Sequence, residues 1–408
     1  MHIKANYIKR YFILSGMLIF AMLLLGCSTK PATEAPGTER ESTEEATVPK
    51  ATFDRVETSE TKALKESIIA AGDYMVQYQL PNGELSYQVD IQDGNRNYSP
   101  SHIRLIAGTG SLFTVCRIAE DNKYCDAGDR TLDHYLDLLV EDAESFDGLC
   151  LYSNGYCKIG GSALTIDAIY KRWQISGSTS LGDRDLLNTA QRLGEQIIWM
   201  RNPEGGLYHR VDPFTGSVDK EYYVSYFNGE SLMALLELYE ITGDEYWLEQ
   251  ALELNEFMKT QAVKEDHWHA YAFSFLARLD TFTQDDQLFA ARIAQTIINN
   301  DSNLDVEHSS ISTATKVEAL VAIALGFDLE DNHQEWLDPA IKDHADFVMA
   351  RQLPNNLCGW SESDALIEHF DGGIYRNCNE PSYIRIDAQQ HWINGAAAYI
   401  EYLSYPQP

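Results

Sequence analysis

The sequence predicts an all-α fold in which about six helical hairpins close into a ring. Three observations carry this expectation. From Thr61 onward, apolar residues recur with a period near 3.6, marking twelve candidate helices in a chain of 408 residues. These segments alternate between ones with a charged face and ones that are nearly charge-free. A stop motif built on Pro or Gly and followed by an aromatic returns after several of the charged-face segments, about 60 residues apart where it follows successive ones, too long for short solenoid repeats and suited to a helix pair plus a loop.

In chain order, the candidate helices span 63–79, 101–119, 127–140, 161–176, 185–201, 226–241, 244–260, 269–280, 285–298, 312–326, 335–351 and 386–404. Odd-numbered segments, such as Asp244-Glu245-Tyr246-Trp247-Leu248, carry charge on one side. Even-numbered ones, such as Ala319-Leu320-Val321-Ala322-Ile323-Ala324 and Gly395-Ala396-Ala397-Ala398, are small and apolar all round, as helices covered on every side must be. The stop motif reads Gln79-Leu80-Pro81-Asn82-Gly83, Arg201-Asn202-Pro203-Glu204-Gly205 and Gln352-Leu353-Pro354-Asn355, with a weaker echo at Phe146-Asp147-Gly148. Six outer amphipathic helices alternating with six inner apolar ones resemble an (α/α)6 toroid with short extended segments in its loops. A HEAT-like open solenoid is the structural alternative.

The first residues hold Lys4, Lys9 and Arg10, then an apolar run from Tyr11 to Leu25 ending in Leu24-Leu25-Gly26-Cys27. That run is too short for a comfortable transmembrane helix and fits a signal sequence. Its end resembles the bacterial lipobox, which implies cleavage after residue 26 and lipidation of Cys27. Ser28 follows, so no Asp signals retention at an inner membrane; if two membranes are present, the outer one is expected. A plain signal peptide or an uncleaved anchor is the alternative. Residues 27–62, rich in Thr, Glu, Ser and Pro, cannot bury enough surface to order themselves and read as a tether. Residues 63–408 form the toroid domain, placed outside the cytoplasm.

The formal net charge of −31 excludes nucleic acid as a partner and leaves the lipid anchor as the one contact with a membrane. Six further cysteines fit an exported, disulfide-bonded domain, and nearest-neighbour pairing (116–125, 150–157, 358–378) is the simplest arrangement. No CxxC spacing occurs, and His267-Trp268-His269 lacks a third ligand nearby. No metal and no cofactor are therefore expected. Asp90 to Asn97 reads as a turn, since it lacks the closing Glu of a calcium loop.

In a toroid the inner helices run parallel, so their starts open on one face. Polar heads gather there: His102 and Arg104; Asp167 a little deeper; Tyr226, Asn228 and Glu230; His267, His269 and Tyr271; Lys316 and Glu318; Arg385, Asp387, Gln390 and His391. Loop aromatics, including Tyr87, Tyr208, Tyr222, Tyr223, Trp360 and Tyr375, supply flat apolar faces. Aromatic walls with convergent carboxylates and amides suit a carbohydrate ligand.

The Tyr226-Phe227-Asn228-Gly229-Glu230 and Arg385-Ile386-Asp387-Ala388-Gln389-Gln390-His391 helix starts resemble elements of the six-hairpin glycosidase superfamily, which includes hydrolases, lyases and sugar epimerases. The resemblance implies a carbohydrate-active enzyme without fixing the reaction. Hydrolysis needs one protonated and one ionised carboxyl flanking the scissile bond. Glu230 and Asp387 are the best pair, with Asp167 or Glu318 in reserve and His391 as a third catalytic candidate. Arg385 beside Asp387 favours its ionised form, whereas an apolar helix start favours a protonated Glu230. A lyase or epimerase would instead use His391, His269 or Tyr226 as base, with Arg104 or Arg385 neutralising a uronate. Substrate contacts are expected from His102, Arg104, Asp167, Tyr226, His269, Arg385, Gln390 and Trp360. Both carboxylates also sit where helix capping and the macrodipole favour them without any chemistry, and a non-catalytic glycan- or protein-binding role on the same scaffold is the rival reading.

Overall fold

A computed structural model describes residues 58–97, 102–141, 146–301, 304–327, 334–361, 369–378 and 382–405. The expected signal sequence, Cys27 and all but the end of the expected tether lie outside these residues. Among them are twelve α-helices, one for each predicted segment: α1 (Ser59–Gln77), α2 (His102–Ala119), α3 (Asn122–Leu136), α4 (Ile159–Ser176), α5 (Leu186–Trp199), α6 (Phe227–Thr242), α7 (Glu245–Lys259), α8 (His267–Arg278), α9 (Gln284–Asn300), α10 (Ser310–Gly326), α11 (Gln334–Met349) and α12 (Ile386–Ser404). Residues 59–62, placed by composition in the tether, form the first turn of α1, because Thr58 and Thr61 make a reciprocal capping box.

The even-numbered helices close a ring in the order α2, α4, α6, α8, α10, α12 and back to α2, which removes the open solenoid as an option. Outer helices sit over the seams: α3 against α2 and α4, α5 against α4 and α6, and α1 against α12 and α2. The fold is thus an (α/α)6 toroid.

The stop motif has a structural cause. Residues Gln79, Arg201 and Gln352, each just past an outer helix, reach the backbone of the next outer helix round the ring. Gln79 donates to Ala127 O (2.8 Å), Arg201 to Gln250 O (3.1 Å) and Gln352 to Ser67 O (2.8 Å). The last of these, with Trp392 Nε1 donating to Ser67 Oγ at 2.8 Å, ties the end of the chain to its first helix. Glycine is required where the loops press on those helices: Gly372, at φ 80°, would place a Cβ 2.0 Å from Ala70 O.

The extended segments form small antiparallel sheets. Gln88–Asp90 pairs with Arg96–Asn97 on one side and with Tyr383–Arg385 on the other, so Asp90 to Asn97 is a hairpin turn. This sheet fixes Arg385 at the entrance to α12. The disulfides are Cys116–Cys125, Cys150–Cys157 and Cys358–Cys378, the nearest-neighbour set.

Helix capping separates the two faces of the ring. Outer helices α1, α3, α5, α7 and α9 start on Thr or Asp side-chain caps. Inner helices α4, α6, α10 and α12 have none, and α8 alone among these five starts on one, Asp266. Uncapped starts leave peptide N–H groups and the positive helix ends on the mouth face of the ring.

Candidate active site

A cavity of about 300 Å³ opens at this mouth. All six inner helices, or the residues leading into them, line it: Arg104, Leu164, Tyr226 with Glu230, Asp266 with His267 and Trp268, Thr315, and Arg385 with Asp387, Gln390 and His391. Its size is at the small end of ligand sites, and it combines aromatic faces with a few polar groups, as such sites do.

Asp387 stands in the first turn of α12 and is 5 % exposed. Arg385 grips it from two nitrogens, Nε to Oδ1 at 2.9 Å and Nη2 to Oδ2, and Arg104 Nη1 lies 3.4 Å from the same Oδ2. Tyr87 buttresses the pair: its hydroxyl accepts from Arg104 at 2.5 Å, and its ring lies 5.1 Å from the Arg385 guanidinium. Glu230 has the opposite setting. Burial pushes its carboxyl well above the usual range, and the nearby Asp266 and Asp167 charges add to the effect. Space for it is made by Gly160 of α4, where a Cβ would lie 2.3 Å from Glu230 Oε2. Two carboxyls on one cavity are therefore held in contrasting environments.

Asp266 was not singled out in the sequence, although an Asp just before Trp268 and its apolar helix is a cap signature. It accepts from Trp268 N and His269 N at 3.1 and 3.4 Å, yet burial outweighs those bonds and raises its carboxyl to about 7.

Two imidazoles meet at one side of the cavity. His267 of α8 and His391 of α12 are edge-on, centroids 5.0 Å apart. Glu318 of α10, 1 % exposed, sits behind them with Oε2 at 2.7 Å from His391 Nδ1 and 3.7 Å from His267 Nε2. Burial, helped by His391, holds His267 well below the ordinary imidazole value.

Of the expected site residues, Arg104, Tyr226, Glu230, Arg385, Asp387, Gln390 and His391 line the mouth cavity. Four do not. His102 faces Tyr152 O (3.2 Å) and serves the neighbouring hairpin. Asp167 lies two turns into α4, paired with Lys171 at 3.0 Å, and lines a separate cavity with Glu237. His269 is two residues past His267, which on a helix is the opposite side; it hydrogen-bonds Asn255 Oδ1 at 2.8 Å within an α7–α9 network. Trp360 packs edge-on against Tyr375 in a satellite core, 4.7 Å between centroids.

No protein-family model and no curated protein matches the sequence. Solved structures with the same fold are numerous. A cellobiose 2-epimerase from Bacillus thermoamylovorans is 12 % identical with a TM-score of 0.64, covering 84 % of this chain and 98 % of its own. An unsaturated glucuronyl hydrolase from Streptococcus agalactiae is 12 % identical with a TM-score of 0.59, covering 85 % and 94 %. A cellulase of C. cellulolyticum is 11 % identical with a TM-score of 0.55, covering 85 % and 99 %. At this identity the likeness establishes the (α/α)6 toroid, a scaffold on which these three named activities differ.

Proposed function

We propose that the mouth cavity is the active site of a glycoside hydrolase-like enzyme acting on an extracytoplasmic glycan, in a protein tethered to the cell envelope through lipidated Cys27. One observation carries the reading: Glu230, pushed toward its protonated form, and Asp387, clamped by Arg385 and Arg104, line the same cavity. In this reading Glu230 protonates the departing glycosidic oxygen. Asp387 either attacks the sugar or activates a water. Tyr226 and Trp268 offer faces to sugar rings, while Gln390 and the arginines meet hydroxyl edges or a carboxylate. The fold neighbours' named substrates are carbohydrates, which supports the substrate class but not the bond cleaved.

A second reading rests on His391. A carboxylate on its Nδ1 fixes the tautomer and leaves Nε2 as a base, the arrangement a sugar epimerase or lyase would use. Product analysis on a panel of glycans separates the two. Hydrolysis creates new reducing ends, a lyase creates ultraviolet-absorbing products, and an epimerase leaves the mass unchanged. New reducing ends lost in Glu230→Gln support the first reading; a mass-neutral product lost in His391→Gln replaces it with the second.

A further inference from the structure

We propose that His267, Glu318 and His391 bind a divalent transition-metal ion, zinc on the choice of donors, in the wall of the mouth cavity. Among the described residues this is the one group of His, Cys, Asp or Glu in which at least three ligand atoms converge, all within 4.8 Å of one another. Three consecutive inner helices supply it, α8, α10 and α12, so the packing of neighbours in the ring and not local sequence brings it together. The donors are two imidazoles and a carboxylate, a known zinc set that leaves a position open. The two separations from Glu318 lie on either side of those in a bound site. Ligands at about 2.1 Å from a tetrahedral zinc stand about 3.4 Å apart, and here Glu318 Oε2 lies 2.7 Å from His391 Nδ1 and 3.7 Å from His267 Nε2.

The second observation concerns an unsatisfied atom. His267 Nε2 is buried and has no hydrogen-bond partner, whereas Glu318 also has the Tyr271 hydroxyl beside it. Buried polar atoms are normally paired, and orphans require a reason. A Glu318–His391 acid–base dyad leaves the His267 nitrogen unexplained. A cation among the three side chains engages His267 Nε2 directly and lets Glu318 use either oxygen. Because His267 and His391 line the mouth cavity, the open position faces the space where substrate would enter. Bound metal would also take His391 Nδ1 out of its bond to Glu318, so this inference competes with the second functional reading and is independent of the first.

The test uses the full-length chain, purified in mild detergent, stripped with chelator and dialysed against zinc. A single tightly held zinc per chain is expected. Cobalt substitution should give a visible d–d absorption band, which reports ligand geometry without any activity. His267→Asn and Glu318→Gln, each checked for folding by circular dichroism, should weaken zinc at least tenfold and remove the cobalt band. His134→Asn, outside the cluster, should do neither. If Glu318→Gln does not fold, His267→Asn decides. Failure of the wild type to retain zinc, or unchanged affinity in a folded cluster variant, overturns the proposal. Both results are separable from the glycan assay, which reads products and not metal.

Discussion

Asp266→Asn should stabilise the protein, and increasingly so as pH rises. The side chain caps α8 by accepting from Trp268 N and His269 N, and Asn can make the same bonds. What changes is the charge. Burial raises the Asp266 carboxyl from 3.8 to about 7 in the folded state. A raised folded value means a stabilising contribution that is complete below about pH 4 and is lost as pH climbs through about 7, because the unfolded chain ionises first. About three pKa units at about 1.4 kcal/mol each set an upper bound of about 4 kcal/mol on the loss. Asn never ionises, so the variant escapes it. Thermal unfolding of both proteins from pH 4 to pH 8 should show a gap near zero at the acid end that widens to several degrees, at roughly 2 °C per kcal/mol for a domain of this size. A gap that stays constant across the range, or a variant less stable at pH 8, would refute the burial argument.

Other perturbations follow from the same geometry. Gly160→Ala puts a methyl 2.3 Å from Glu230 Oε2 and 2.6 Å from Phe227, so it should cost about 1–3 kcal/mol and depress turnover more than binding, read as kcat against KM. Arg351 is fully buried and donates to the carbonyls of Asp305, Val306, His308 and Arg376; Arg351→Met should cost about 3 kcal/mol or more in chemical denaturation by orphaning them. Gly372→Ala, strained at φ 80° and pressed on Ala70 O, should destabilise by about 2 kcal/mol or more while leaving the mouth residues intact. The wild type should incorporate labelled palmitate and Cys27→Ser should not; equal incorporation in the two, or none in the wild type, would remove the lipid-anchor reading.

Helices and their order were legible because both signals are local. An outer helix must show one charged face, and an inner helix must show none, whatever its partners are. Ala319 to Leu325 could not be exposed, and Asp244 to Gln250 could not be wholly covered. The candidate site was legible only in part. Glu230, Asp387, Arg385 and His391 stand out in the sequence because polar groups at apolar helix starts need partners, and all four line the mouth cavity. His269 lies off the mouth cavity because Asp266 caps α8 and starts it at His267, two residues before the predicted start, so His267 turns to the cavity and His269 turns away. α4 begins at Ile159, which carries Asp167 two turns down toward Glu237. The pairing of Glu318 with His391, 73 residues apart, has no local signature, because it depends on two neighbouring inner helices, α10 and α12, packing side by side. Likewise Trp360 resembled a sugar platform in the sequence and is instead held by Tyr375 in a loop core.

The central claim is that Glu230 and Asp387 work as a pair on a glycan in the mouth cavity. The most direct measurement follows new reducing ends released from a glycan panel by the wild type, Glu230→Gln and Asp387→Asn. The wild type should release them, each variant should lose at least a hundredfold, and the melting temperatures should lie within a few degrees of one another. Release undiminished in both folded variants would contradict it.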